Sequence, residues 1–374
     1  MSDLLQEHLG YLSDGKRLEL FRDAIARTIA PGDTVADLGC GFGILGLMCL
    51  QAGAGQVWGI DRTDAIDVAR ETMERAGHGH HYHCLREHTF RAVLPEPVDL
   101  IVCDHIGYFG FDYGIVAMIG DARRRMLRPG GKLVPSRIRL MLAGAASPRC
   151  RDKAEAWAST PIPAEFAWLR QYGVNASHAY AFDPAEIATE PVTLGEIDLR
   201  VDNPAHFAFE ARLQARSDCR IDGLGGWFEA ELAPGVWMTN SPLAADRIDR
   251  GQIFLPFDAP IGLVAGETLE VSLSIRHEDG MLAWSARPQG GGQRQKQSNW
   301  ASLVLNTQKI GEGVARKPKL NPAGHAAGIV HGYVDGQRSA GEIEAAVLRD
   351  HPHLFPSAEE TSRFVLSELA RIAG

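Results

Sequence analysis

Hydrophobic and polar positions alternate with three different rhythms along this chain. Over residues 4–29 the apolar positions recur at helical spacing, with Asp14 placed as an N-cap and Pro31-Gly32 as a stop. Residues 34–38 (TVADL) form a short apolar run of the kind that makes a strand buried on both faces. Gly39, Gly41 and Gly43 follow at every second position, and then come an apolar helix and a second strand ending at Asp61. Residues 64–76 read as a helix stopped by Gly77, 82–85 as a third strand and 98–103 (VDLIVC) as a buried strand. Residues 115–127 read as a helix closed by Arg128-Pro129-Gly130-Gly131, with another strand starting at 132–135. Strands alternating with helices predict an α/β region built on a parallel, doubly wound sheet.

After Pro135 the rhythm becomes two. Runs such as HFAFEARLQA, GGWFEAELA, GQIFLPF and TLEVSLSIRH, punctuated by Gly, Pro, Asn and Asp, predict a β-sandwich or barrel over residues 137–287. A helical insertion over 151–172 interrupts it, and 288–293 reads as an exposed loop. The tail changes once more. Residues 314–324 are extended, then helices are expected over 323–333, over 340–349 with Ser339 as cap, and over 358–372 with Ser357 as cap. Three short helices after an extended lead-in suggest a small winged-helix-like module. The expected division is therefore residues 1–136, 137–309 and 310–374.

Composition narrows the function classes. With 45% hydrophobic and 23% charged residues the 374-residue chain has the make-up of an ordinary soluble globular protein. A formal net charge of −9 argues against nucleic acid as a partner, since that needs a basic footprint. Cys40, Cys49, Cys84, Cys103, Cys150 and Cys219 include no CxxC, and several sit inside apolar runs, so a disulfide framework is not expected. The first ten residues, MSDLLQEHLG, lack a basic segment followed by an apolar run, and no apolar stretch is long enough to span a bilayer. A cytoplasmic protein with no membrane partner is the expectation.

The glycine turn carries the first chemistry. Missing side chains let backbone N–H groups approach a ligand, the next helix points its N-terminus at the same spot, and an acid ending the second strand is placed to accept both hydroxyls of a ribose. A dinucleotide fingerprint needs glycine at the first, third and sixth positions, and the sixth from Gly39 is Ile44. Asp37-Leu38-Gly39-Cys40-Gly41-Phe42-Gly43 instead resembles the acid-x-Gly-x-Gly-x-Gly pattern of S-adenosylmethionine-dependent methyltransferases.

Four blocks in order resemble one family, the protein arginine methyltransferases. They are His8 to Arg17 with Phe21 and Ala24-Ile25; the glycine turn through Asp61; Asp99 to Phe109; and Leu127 to Ser136. Gly223 to Phe228 and Gln252 to Phe257 are similar to barrel strands of the same family. The resemblance implies a Rossmann-like domain followed by a β-barrel, with S-adenosylmethionine as cofactor and a peptide or protein as substrate. It also allows a homodimer. His8, Asp14 and Arg17 are implied to lie over the cofactor, with Arg17 pairing its carboxylate as a guanidinium does. Asp37, Gly39, Gly41, Phe42, Asp61, Arg62 and Cys103 complete the implied cofactor set.

The chain departs from the family at the acceptor. Of the two glutamates that flank a substrate guanidinium in the family, the first falls on Asp104 and the second on Tyr113, with Asp112 adjacent but pointing elsewhere. The family's loop tryptophan is His105, and its Thr-His-Trp element falls near Ile248-Asp249-Arg250, with no histidine. Asp104, helped by His105 or Asp112 and with Tyr113 nearby, is expected to orient and deprotonate the acceptor. The acceptor stays open between arginine and another side chain such as a carboxylate, imidazole or amide.

Two further stretches stand apart. Lys317 to Gly324, Val334 to Ser339 and Glu342-Ile343 are similar to PqqD-like domains, which implies capture of a leader peptide by strand addition. His78-Gly79-His80-His81-Tyr82-His83 reads as a solvated loop, because methyl transfer from a sulfonium needs no metal. The reading is thus a methyltransferase of the arginine-methyltransferase type. The alternative is a methyltransferase-like peptide escort whose acceptor site has decayed.

Overall fold

The computed structural model describes residues 3–303, 317 and 319–372, and divides into two compact units, Met1–Val304 and Leu305–Gly374. The first unit opens with helices α1 (Asp3–Ser13) and α2 (Gly15–Thr28), separated at Asp14, whose carboxylate caps α2 by accepting from the Arg17 N–H at 3.0 Å. Next come β1 (Thr34–Leu38), α3 (Ile44–Gln51), β2 (Gln56–Ile60), α4 (Ala65–Arg75), β3 (Tyr82–Leu85), β4 (Val98–Cys103), α5 (Ile115–Arg125) and β5 (Leu127–Val134).

These five strands form a parallel sheet in the order β3-β2-β1-β4-β5. Chain order reverses between β1 and β4, so the carboxyl ends of those strands open a crevice where ligands of doubly wound sheets bind. β1 and β4 are almost wholly buried, as their predominantly apolar runs require. One expectation is corrected here. Arg128-Pro129-Gly130-Gly131 does not close a helix outside the sheet but lies within β5, as a bulge: Leu127 pairs Val98 and Lys132 pairs Leu100. The residues between them have no partners on β4, which the left-handed Gly130 (φ +78°) accommodates.

The antiparallel region comprises β6 (Arg137–Ala145), α6 (Pro148–Glu155), α7 (Arg170–Gly173), β7 (His178–Tyr180), β8 (Val192–Asp198), β9 (His206–Gln214), β10 (Cys219–Ala233), β11 (Val236–Thr239), β12 (Gln252–Leu263), β13 (Thr268–Arg276), β14 (Met281–Pro288) and β15 (Gln295–Ser298). It is two hydrogen-bonded sheets. One has the order β7-β12-β10-β6-β8 with β11 on β10; the other is β15-β14-β13-β9. Strict alternation on β13, where every second side chain is buried, is the period-two signal of TLEVSLSIR made visible. Trp284 of the second sheet is buried and donates its indole N–H to the Pro256 carbonyl of β12 at 2.7 Å, tying the sheets together. A single hydrophobic core runs from Leu38, Ile60 and Val102 of the parallel sheet to Phe228, Leu255 and Trp284 of the antiparallel ones.

In the second unit, α8 (Pro322–His331), α9 (Ala340–Asp350) and α10 (Ala358–Ile372) enclose a small core of Val330, Ile343, Val347, Val365 and Leu369. Ser339 caps α9 with a capping box to Glu342, and Ser357 Oγ accepts from the Glu360 N–H at 3.1 Å. Among the described residues of this unit no strand accompanies the helices. Of the extended lead-in expected over residues 314–324, residues 314–316 and 318 lie outside the described ones, and its last residues already belong to α8, which begins at Pro322.

Candidate active site

The crevice between β1 and β4 holds a cavity of about 240 Å³. Its floor is the glycine turn. Gly39 and Gly41 adopt φ of +62° and +53°, a region that side chains disfavour. Space forbids side chains as well: a Cβ on Gly39 would lie 1.9 Å from His105 Cε1, and one on Gly41 2.3 Å from His8 Cε1. His8, from α1, stacks on Phe42 with ring centroids 3.9 Å apart. Burial lowers the pKa of both His8 and His105, so two uncharged imidazoles lie over the turn.

Asp61, following β2, faces the same cavity. Its Oδ2 accepts from the Gly41 N–H at 3.0 Å, and its Oδ1 from the Thr63 N–H and hydroxyl at 2.8 and 2.7 Å. Asp37, at the end of β1, is buried and accepts from the Gly46 N–H at 2.9 Å, which fixes the turn to the start of α3. Burial pushes its carboxyl up to about 7.

At the other end of the cavity stands Asp104, just after β4. Its Oδ2 accepts from Arg17 Nε at 2.5 Å and from Arg250 Nη2 at 3.4 Å, and the three side chains are 10%, 5% and 9% exposed. Burial alone would push the Asp104 carboxyl up, but the two guanidiniums together hold it below the usual carboxylate range. Its Oδ1 is buried and has no hydrogen-bond partner. Both arginines also lie against the Tyr11 ring, 5.6 and 5.9 Å from its centroid.

The backbone around Arg250 is itself fixed. Asn240, wholly buried, donates to the Tyr108 carbonyl at 2.8 Å and the Gly251 carbonyl at 2.7 Å, and accepts from the Phe228 N–H at 3.0 Å. Gln252 donates to the Arg250 carbonyl at 3.3 Å. The loop after β4 is thereby joined to β10 and to the segment leading into β12.

The expected site residues divide into those that meet in the cavity and those that do not. His8, Arg17, Asp37, Gly39, Gly41, Phe42, Asp61, Asp104, His105 and Tyr113 line it. Asp14, Arg62, Cys103 and Asp112 do not. Asp14 spends its second oxygen on the Asp249 N–H at 3.0 Å, a link from α2 to the segment before β12. Arg62 is exposed. Cys103 is buried in β4, with Sγ 3.8 Å from His105 Nδ1. Asp112 is turned into its own loop, where it accepts from the Tyr108 and Phe109 N–H groups at 2.9 and 2.8 Å. It builds the loop and does not face the acceptor. Arg17 is paired with Asp104, where the family resemblance implied a cofactor carboxylate.

Sequence reading missed Asn240 altogether and noted Arg250 only as part of a segment lacking a histidine. Nothing in the spacing of a single chain marks either residue. Of the histidine-rich loop, His81 meets the Gly55 carbonyl at 2.9 Å, and His83 meets Gln56 at 2.6 Å and stacks on Trp58. Among the described residues no three His, Cys, Asp or Glu side chains converge as metal ligands, and no helix is long and apolar enough to cross a membrane.

Comparison with known proteins agrees with this arrangement. Residues 35–131 match a family model described as a methyltransferase domain. A probable protein arginine N-methyltransferase 6 of Arabidopsis thaliana is 26% identical over 60% of this chain, which spans only 54% of that protein. An arginine N(omega)-methyltransferase of Streptomyces achromogenes subsp. streptozoticus is 25% identical over 71% of this chain and 75% of its own. In fold, the Trypanosoma brucei PRMT1 enzyme-prozyme complex with AdoHcy matches with a TM-score of 0.69 at 21% identity, over 78% of this chain and 96% of that one. Arabidopsis thaliana protein arginine methyltransferase 10 gives 0.69 at 22%, over 79% and 98%.

Residues 35–131, which hold most of the parallel sheet and its acid-ended glycine turn, thus form a methyltransferase domain, for which S-adenosylmethionine is the cofactor. Its overall fold, antiparallel sheets following the parallel one, is that of the protein arginine methyltransferase structures it matches.

The cavity fits the cofactor. Two left-handed glycines form a cradle that a Cβ would fill, a carboxylate stands at the end of the second strand, and the overlying imidazoles bring no positive charge towards a sulfonium.

Proposed function

We propose that this protein transfers a methyl group from S-adenosylmethionine to a side chain of a peptide or protein. One observation carries the reading: the glycine cradle with Asp61 and the Asp104–Arg17 pair face a single cavity, so donor and acceptor ends meet. S-adenosylmethionine supplies an electrophilic methyl on a sulfonium. Backbone groups of Gly39 and Gly41 bind the donor, and Asp61 exchanges its bonds to Gly41 and Thr63 for ribose hydroxyls. Arg17 holds the donor's carboxylate, His8 and Phe42 cover it, and Asp104 with Tyr113 orients the acceptor. In-line displacement asks mainly for positioning, which a cavity closed by α1 on one side and the loop after β4 on the other provides.

Residues 1–136, 137–309 and 310–374 serve in this proposal as donor-binding, substrate-holding and peptide-recruiting segments. The last assignment is supported by the separate core of α8, α9 and α10. Equilibrium dialysis with S-adenosylmethionine and S-adenosylhomocysteine tests the proposal. Saturable binding of both is expected, and binding of neither removes it.

A further inference from the structure

We propose that Arg250 sets the charge of the acceptor end, so that the acceptor is an uncharged N–H side chain, an imidazole above all, and not a guanidinium. This inference rests on the methyltransferase reading above. Its starting point is the charge balance at Asp104. One carboxylate oxygen serves two buried guanidiniums, Arg17 and Arg250. Once Arg17 turns to the donor's carboxylate, Arg250 remains to neutralise Asp104.

Among the described residues lining the cavity, no second buried carboxylate is free to hold a cationic acceptor. Asp112 is spent on the N–H groups of Tyr108 and Phe109. Tyr113, at the rim, is a phenol whose pKa burial pushes upward, so it stays uncharged. Asp37 lies under the turn on Gly46, Asp61 passes from Gly41 and Thr63 to the donor's ribose, and Glu7, on α1, is exposed to solvent, where its charge is screened. A guanidinium entering here would face the sulfonium and Arg250 with its only counter-charge already taken.

The vacant Asp104 Oδ1 argues equally against an anion. It is a buried acceptor without a donor, and an entering carboxylate would set lone pairs against lone pairs. An uncharged group with an N–H on one side and a lone pair on the other satisfies both demands. A neutral imidazole is the side chain of that kind that is nucleophilic without prior deprotonation.

The step balances without a general base. The lone pair of the unprotonated ring nitrogen forms the bond to the methyl carbon. The carbon–sulfur bond breaks with its electron pair passing to sulfur, and S-adenosylhomocysteine leaves as a neutral thioether. The ring becomes a methylimidazolium whose N–H is held by Asp104 Oδ1, and loss of that proton to solvent gives the neutral methylated product.

The test is calorimetric titration of the full chain with N-acetylhistidine amide and N-acetylarginine amide, after saturation with S-adenosylhomocysteine. The wild type is expected to prefer the histidine probe by at least about tenfold. Arg250→Met, which frees the Asp104 charge, is expected to reverse the preference. Arg250→Lys, which keeps the charge, is expected to retain it and so separates charge from folding. A wild type that prefers the arginine probe, or binds no histidine probe, overturns the inference, as does an Arg250→Met protein with unchanged preference. Failure of S-adenosylhomocysteine itself to bind removes the methyltransferase reading instead, so the two failures are told apart in the first titration.

Discussion

Asp61 and Asp37 stand at the ends of neighbouring strands, yet they answer to different physics. Asp61 is partly exposed and its hydrogen bonds go to groups of the turn and to Thr63. Replacing it by alanine is expected to weaken S-adenosylhomocysteine binding by about 1–3 kcal/mol, roughly five- to 150-fold, which calorimetry reads directly. Asp37 is buried with its carboxyl pushed up to about 7, well above its unfolded value near 4. A raised folded pKa means the folded state holds the proton more tightly. That contribution to stability is complete below about pH 4 and is lost as pH rises towards 7. Asp37→Asn keeps an oxygen for the Gly46 N–H and does not titrate. Its stability relative to wild type is therefore expected to rise between pH 4 and pH 8, by up to about 4 kcal/mol, in urea unfolding of the cofactor-free protein. At this scale Asp37, Asp61, Gly39 and Gly41 were legible because a local motif fixes their chemistry. Asp112 was not, because its direction depends on the two N–H groups it turns back to meet.

The elements at the crevice are the glycine turn and the loop after β4. In the turn, Gly39→Ala imposes a left-handed side-chain residue and drives its Cβ into His105. A loss of about 1–2 kcal/mol in stability is expected from the backbone alone, with weaker S-adenosylhomocysteine binding measured on the same sample. The loop after β4 has no regular ladder of its own and is held by Asn240, which bonds Tyr108 and Gly251 from the end of β11. Asn240→Ala is expected to cost about 2–4 kcal/mol in chemical denaturation, because buried backbone groups on two segments lose their partners. β4 falls where the sequence places it, since a run of mostly buried apolar residues leaves little choice. The bulge in β5 does not, because Pro129-Gly130-Gly131 carries a strong local turn signal that pairing with β4 overrides.

Across the whole molecule, the alternation of rhythms was enough to separate a parallel sheet from antiparallel ones, since burial on two faces and on one leave different patterns. The acceptor end was not legible in the same way, because Asp104 and Arg250 are 146 residues apart in the chain. All residues of the cavity lie in the unit Met1–Val304. Removing residues 305–374 is therefore expected to leave S-adenosylhomocysteine affinity within about twofold of the full chain, measured by calorimetry. A last consequence comes from Asp14. One of its oxygens starts α2, which carries Arg17, and the other holds the Asp249 N–H beside Arg250. Whatever orders the helices over the donor thus also steadies the segment that sets the acceptor's charge, and the coupling is reciprocal. Binding at the two ends is then synergistic: S-adenosylhomocysteine is expected to tighten the acceptor's binding, and the acceptor to tighten that of S-adenosylhomocysteine by the same factor. Asp14→Ala should bring that factor towards one, which paired calorimetric titrations read.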